Sequence, residues 1–240
     1  MTFKYFCGVK FLITSKSIIV KRIHLLIVLF LSLFAKLPLQ AQDSTRISTP
    51  KAITIEEMIG DQRQFLQLLV NKVLTEKKKT GILSITGYAA DYENDLSKNE
   101  FQNTTLLYQR LFKGISINSG VSFTSVDGMK NFVGLQYMYQ TRSFSVVYLP
   151  SYYFTHGQRL SNTALIEYKP EITEKWSFYS RLQFHYNHNP ETGNHYRSYV
   201  YSRLGLTYGY FSFGLAHNYD CYGASRYTKN NYGVFLKFTL

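Results

Sequence analysis

Cysteine is almost missing from this chain: its 240 residues hold two, Cys7 and Cys221. Cys7 falls in a leader described below, so Cys221 stands alone in the mature chain and a disulfide framework is excluded there. No histidine or basic cluster adjoins it to activate a thiol, and it reads as a small residue at a rim. No apolar run reaches the roughly 20 residues that a membrane-crossing helix needs. Acidic side chains are missing from the first 42 positions, which hold Lys4, Lys10, Lys16, Lys21, Arg22 and Lys36. The rest of the chain then carries 21 basic against 15 acidic residues. That modest excess, with no basic run on a helix, argues against nucleic acid as a partner. Gly-x-Ser-x-Gly, Cys-x-x-Cys and phosphate-loop patterns do not occur, so no catalytic motif is present and no cofactor is implied. Tryptophan is down to one residue, yet 21 Tyr and 18 Phe lift aromatics to 17%. Such a balance suits strands and membrane interfaces.

What is present is alternation. From His195 onward, Tyr196, Ser198, Val200, Ser202, Leu204, Leu206 and Tyr208 share one face, and His195, Arg197, Tyr199, Tyr201, Arg203 and Thr207 the other. After Gly209-Tyr210 the apolar parity switches to Phe211, Phe213 and Leu215. A two-residue turn makes Tyr208 face Phe211 and keeps one apolar side continuous. Tyr232, Val234, Leu236, Phe238 and Leu240 repeat the pattern, and Thr141-Arg142 sets Tyr139 opposite Phe144 in the same way. A mean hydropathy of −0.17 is no objection to a membrane wall, because such a wall shows lipid only at every second residue.

Residues 1–42 read as a secretory signal peptide: Lys21-Arg22, a short apolar stretch from His24 to Ala35, and small residues near a cut after Ala41 or Gln42. Residues 1–19 are long for a basic leader, which points to a start near Val20. Residues 43–79 read as a periplasmic tether followed by an amphipathic helix, Ile55 to Glu76. Thr54 and Glu57 match a capping box, and Ile55, Met58, Ile59, Phe65, Leu66, Leu69, Val70, Val73 and Leu74 recur at helical spacing. The helix packs at the periplasmic mouth, lies in the inner leaflet or plugs the lumen. Its apolar stripe and basic end favour the first two.

Residues 80–240 divide into ten segments of wall length, near 81–92, 103–112, 115–124, 131–140, 143–154, 161–169, 175–187, 195–208, 211–222 and 230–240. Short and longer connections alternate between them. In the second segment either Leu107 and Leu111, or Leu106, Tyr108 and Phe112, face outward. The expected fold is all-β: a ten-stranded antiparallel up-and-down transmembrane β-barrel preceded by one amphipathic helix, with both termini periplasmic. Aromatics such as Tyr139, Phe144, Trp176, Tyr208 and Phe211 would ring one edge.

Glu167, Lys169, Arg181, Arg203 and Lys237 carry inward parity and form an expected lumen charge cluster, either a structural ion-pair network or an anion-favouring constriction. His185, His195, His217 and Asp220 lie near the outer rim. His217 and Asp220 have opposite parity on one strand, and the histidine spacing is no zinc signature, so neither catalysis nor a metal is assigned.

The leader ending Leu39-Gln40-Ala41-Gln42, the segment alternation and the terminal Tyr232–Leu240 (YGVFLKFTL) together resemble Gram-negative outer-membrane β-barrel proteins over residues 20–240. That resemblance implies an outer-membrane location, contact with outer-membrane lipid and lipopolysaccharide, and recognition of Tyr232–Leu240 by the outer-membrane assembly machinery. The final residue is Leu240 where the class usually has an aromatic, with Phe238 two places before it. A helix before a barrel is also similar to the outer-membrane palmitoyltransferase, whose catalytic residues do not map here. The resulting expectation is a small structural, accessory or narrow-channel barrel without catalysis. The alternatives are a lipid- or lipopolysaccharide-modifying enzyme using the rim groups, and a soluble lectin-like β protein.

Overall fold

The computed structural model describes residues 4–6, 9–11, 53–75, 79–93, 95–155 and 157–240. The expected signal peptide and tether lie almost wholly outside these residues. Two compact units divide the chain. In the first, β1 (Lys4–Phe6) and β2 (Val9–Phe11) pair as a two-stranded antiparallel sheet.

The second unit is a closed antiparallel barrel. Its strands are β3 (Ile53–Gly60), β4 (Arg63–Val73), β5 (Thr80–Asp91), β6 (Glu100–Phe112), β7 (Ile115–Thr124) and β8 (Gly128–Gln140), followed by β9 (Phe144–Tyr153), β10 (Arg159–Tyr168), β11 (Trp176–His188), β12 (His195–Tyr208), β13 (Phe211–Tyr222) and β14 (Tyr227–Thr239). Each strand pairs with its neighbours in sequence, and β14 closes onto β3 through Phe238↔Ile55 and Leu236↔Glu57. The barrel therefore has twelve strands, where ten and a helix were expected. Among the described residues the only helical turn is a 3₁₀ turn at Leu96–Lys98.

The stretch expected as the Ile55–Glu76 helix is the β3–β4 hairpin. Its pattern misleads because Met58, Phe65 and Leu69 interrupt the polar residues of the inward face, so apolar residues occur on both faces. Met58 and Phe65 point inward and are buried, while Ile55, Ile59 and Leu66 point outward and are exposed. Merged, the two faces imitate a helical stripe. The supposed capping residues do other work: Thr54 pairs with Thr239, Glu56 reaches into the lumen, and Glu57 accepts a hydrogen bond from Gln64 on the outer face. Asn231 on β14 shapes the hairpin turn, its Oδ1 accepting from the amides of Gln62 and Arg63 at 3.1 Å each.

All ten expected wall segments are strands. Tyr208 pairs with Phe211 across Gly209-Tyr210. At the other tight bend the register is displaced: Tyr139 pairs with Val146, and the Thr141 amide donates to Phe144 O at 2.7 Å. The displacement is two residues, so every side chain keeps its face. On β6, Leu107 and Leu111 are exposed while Leu106 and Tyr108 are buried, and beyond a register shift between Arg110 and Phe112 the Phe112 side chain is exposed as well, so neither expected set holds throughout. Around the outside, Phe213, Leu215, Val234, Leu236 and Leu204 are all exposed. Cys221 is fully buried.

An even strand number brings both ends of the barrel to one mouth, where the Leu240 amide donates to Ile53 O at 2.9 Å. This is called the termini mouth below. The turns at 61–62, 92–99, 125–127, 154–158, 189–194 and 223–226 lie at the far mouth.

Candidate functional site

The lumen is where this sequence concentrates its charge. Strand alternation carries every second side chain inward, and the tilt of a closed barrel brings distant strands within reach across it. Toward the termini mouth, Glu56 on β3 meets Arg181 of β11 (Oε1 to Nη2, 2.7 Å) and Arg203 of β12 (to Nε, 2.9 Å). Arg203 Nη1 also donates to Asn218 Oδ1 at 2.8 Å. Beside this, Lys237 Nζ lies 3.0 Å from Glu167 Oε2 and donates to Tyr179 Oη at 2.8 Å. Tyr179 in turn donates to Glu167 at 3.0 Å. Four of the five residues expected inside the lumen thus belong to one network, and Lys169 lines the cavity below it. Glu56 is the member of this network that sequence reasoning missed. Its inward neighbour Met58 was the signal, once two-residue alternation is tried in place of a helical period.

A second network occupies the far half. Asp220, fully buried, binds Arg63 of β4 at 2.6 Å and Arg197 of β12 at 2.9 Å, and accepts from Tyr201 at 3.0 Å. Glu100 on β6 binds Arg63 at 2.9 Å, Lys229 at 3.0 Å and Arg197 at 3.3 Å, and accepts from Tyr222. Each network holds three cations against two carboxylates: Arg181, Arg203 and Lys237 with Glu56 and Glu167, then Arg63, Arg197 and Lys229 with Asp220 and Glu100. Between them the bore is packed. Tyr201 stacks on Tyr199 with centroids 4.3 Å apart and meets Phe65 edge-on at 5.3 Å, and Tyr179 lies against Phe235 at 5.7 Å.

At the far mouth, Asp127 in the β7–β8 turn takes a two-pronged bond from Arg159, 2.7 and 2.9 Å, whose guanidinium lies 3.7 Å from the Tyr196 ring centroid. The Arg159 hydrogen bonds hold the Asp127 carboxyl below its ordinary range, partly opposed by desolvation.

The four residues placed near the outer rim each have different partners. His185 points inward and stacks on Tyr199 at 4.9 Å, its Nδ1 2.9 Å from Thr163 Oγ1. His195 Nδ1 lies 2.9 Å from Gly223 O, with Nε2 3.1 Å from Ser198 Oγ. His217 stacks on Tyr232 at 4.3 Å and meets Asn230 Oδ1 at 3.1 Å. Asp220 is committed to two arginines. Among the described residues no three histidine, cysteine or acidic groups converge as metal ligands.

Below the first network the bore opens into a cavity of about 470 Å³ at the termini mouth. One wall is apolar, with Leu69, Leu83, Ile85, Val147 and Leu149. The other carries Glu56, Glu167, Arg181 and Lys237. Such a chamber can hold a small amphiphile, since its size falls within the roughly 300–1,000 Å³ of small-molecule pockets.

No family model and no curated protein matches the chain. Among solved structures it is similar to a KdgM porin, with 13% identity, a TM-score of 0.45, and coverage of 78% of this chain and 98% of that one. LpxR from Salmonella typhimurium matches at 9% identity and a TM-score of 0.43, over 78% and 99%. A NanC porin matches at 11% and 0.43, over 79% and 100%. At those scores the likeness concerns the barrel alone, and nothing below depends on it.

Proposed function

We propose that this chain is a small barrel of the bacterial outer membrane whose bore is held shut, or nearly so, by its own ion pairs, and that it serves a structural, accessory or narrow-channel role. The observation that carries this reading is the set of ion pairs between strands that are not neighbours: Arg181 and Arg203 onto Glu56, Arg63 onto Asp220, and Arg197 onto Glu100. With each network one cation in excess, whatever small solute crosses is an anion, because an unmatched positive charge in a low-dielectric bore favours the opposite sign. The apolar exterior supports a lipid surround, since closure removes the edges and alternation turns the greasy face outward. Both barrel ends at one mouth supports a periplasmic position for that mouth. β14, running to Phe238-Thr239-Leu240, is proposed as the signal for the assembly machinery.

The test is planar-bilayer conductance after insertion has been verified by heat-modifiable gel migration. The expected wild-type trace is silent or carries small, anion-preferring steps. A wide, stable, unselective pore would refute the closed bore. A protein recovered in the soluble fraction without heat modifiability would refute the membrane assignment. The lipid-modifying alternative lacks support in the geometry, because His185, His195, His217 and Asp220 are each engaged by different neighbours.

A further inference from the structure

The outer wall is not uniformly filled. Cross-strand pairing lays two rows of side chains next to each other on the outward face. One runs Lys72↔Ile82↔Leu107↔Ser119↔Val133↔Tyr152↔Leu160. The other runs Thr80↔Gln109↔Ile117↔Leu135 and ends beside Pro150. From Thr80 to Leu160 the two rows line an apolar furrow of about 760 Å³. Ser119 and Pro150 leave it shallow in bulk, one a hydroxymethyl group and the other a ring folded back on its own backbone. Leu107, Ile117, Val133, Leu135 and Leu160 are all exposed along it. It crosses β5 to β10, about 24 Å at roughly 4.8 Å between strands. Because the strands of a barrel tilt, a row at right angles to them climbs the wall. Thr80 opens β5 at the termini mouth, and Leu160 is the second residue of β10 at the far mouth.

The two ends of the furrow differ in charge. At the termini mouth, Lys72 heads one row, Lys79 adjoins Thr80 at the head of the other, and Lys113 stands in the β6–β7 turn; all three are exposed. In sequence the turns 74–79 and 113–114 carry Lys77, Lys78, Lys79 and Lys113 against the single carboxylate of Glu76. Next along the furrow come a hydroxyl and an amide, Thr80 Oγ1 donating to Gln109 Oε1 at 2.6 Å. Leucine, isoleucine, valine and proline follow. At the other end, the β9–β10 turn at 154–158 holds no lysine, arginine or carboxylate. Cations, then neutral polar groups, then hydrocarbon is the order of phosphate, glycerol ester and acyl chain in a phospholipid whose head lies at the termini mouth. Lysines at a membrane surface attract anionic headgroups, and the apolar part of the furrow has no preference of sign, so the lysines decide the headgroup.

We propose that this furrow binds one anionic glycerophospholipid of the leaflet at the termini mouth. Its phosphate meets Lys72, Lys79 and Lys113, and one acyl chain lies along Leu107, Ile117, Val133 and Pro150. This rests on the membrane reading above. It differs from ordinary solvation of a barrel by lipid in that the headgroup is selected and the chain has a fixed place on the wall.

The test uses the full chain, folded in a non-ionic detergent and offered equal amounts of palmitoyl-oleoyl phosphatidylglycerol and phosphatidylethanolamine. Native mass spectrometry counts the lipid that each barrel keeps. One phosphatidylglycerol per barrel is expected, preferred over phosphatidylethanolamine by roughly five-fold or more. Lys72→Gln combined with Lys79→Gln and Lys113→Gln is expected to erase that preference. Ser119→Trp, which fills the furrow from an exposed position, is expected to remove retention of both lipids. Heat-modifiable migration should be unchanged in each, and if one variant fails to fold the other still decides. In vesicles, phosphatidylglycerol carrying a diazirine at its acyl end is expected to label Val133, Pro150 and Tyr152 ahead of Leu204 and Leu215 on β12 and β13. Equal retention of the two lipids, a preference that survives the lysine variant, retention untouched by Ser119→Trp, or label spread evenly round the wall would overturn the site. So would a doubled barrel mass without lipid, which would give the furrow to a second copy of the chain. A heat-modifiable barrel without lipid preference loses the site and keeps the membrane reading, whereas a soluble protein loses both.

Discussion

Glu56 shows how much one inward carboxylate carries. Arg181 and Arg203, both nearly fully buried, share its Oε1, so removing it leaves two guanidinium groups facing each other without an anion. Breaking a buried pair from one side typically costs about 3–5 kcal/mol. Glu56→Ala is therefore expected to destabilise the fold by that order, read as a lower urea midpoint of unfolding in micelles, and an unchanged midpoint would show the pair to be dispensable. Asp127 gives a pH signature at the far mouth. Its carboxyl titrates lower in the folded barrel than in the free chain. The stability it contributes is thus complete above the ordinary aspartate value of about 3.9, and is lost as pH falls through the lowered folded value. NMR of the Asp127 carboxyl carbon should show a midpoint below the ordinary one, and Arg159→Ala should return it to normal. A midpoint indifferent to Arg159→Ala would remove the clasp.

At the scale of elements, the β3–β4 hairpin separates a helix from a wall. A helix resting at the mouth could be deleted without opening the barrel. Two strands cannot, because β14 would lose Ile55 and Glu57, its partners at Phe238 and Leu236. Removing residues 53–79 is expected to abolish heat-modifiable migration, and a deletion that still migrates as a folded barrel would restore the helix. A paired substitution gives the positive form: Ile55→Cys with Phe238→Cys should cross-link under mild oxidation. The β12–β13 pair has its own tight point at Gly205↔Gly214. A Cβ at Gly205 would meet Phe213 O at 2.0 Å, so backbone must move. Gly205→Ala is expected to cost about 1–3 kcal/mol, read as a lower midpoint in the same urea titration.

The barrel is a tube with its apolar face outside and its charges inside, the reverse of a water-soluble core. That inversion was legible wherever a strand kept polar residues on its inner face. β11, β12, β13 and β14 alternate cleanly because Arg181, Arg203, Asn218, Asp220 and Lys237 face inward opposite leucines and aromatics facing out. It was illegible in β3 and β4, whose inward Met58 and Phe65 pack on Tyr201 and its neighbours and so erase the period. By itself, then, the amino-acid order determined the antiparallel wall, its outward face and the inward charges, since a two-residue period is a local property of extended chain. Only the tertiary structure decided that twelve strands close the ring, that Glu56 is the anion under two arginines, and that the rim histidines stay apart. Those facts depend on which strands meet across a lumen, and that distance is set by closure, not by any neighbour in sequence.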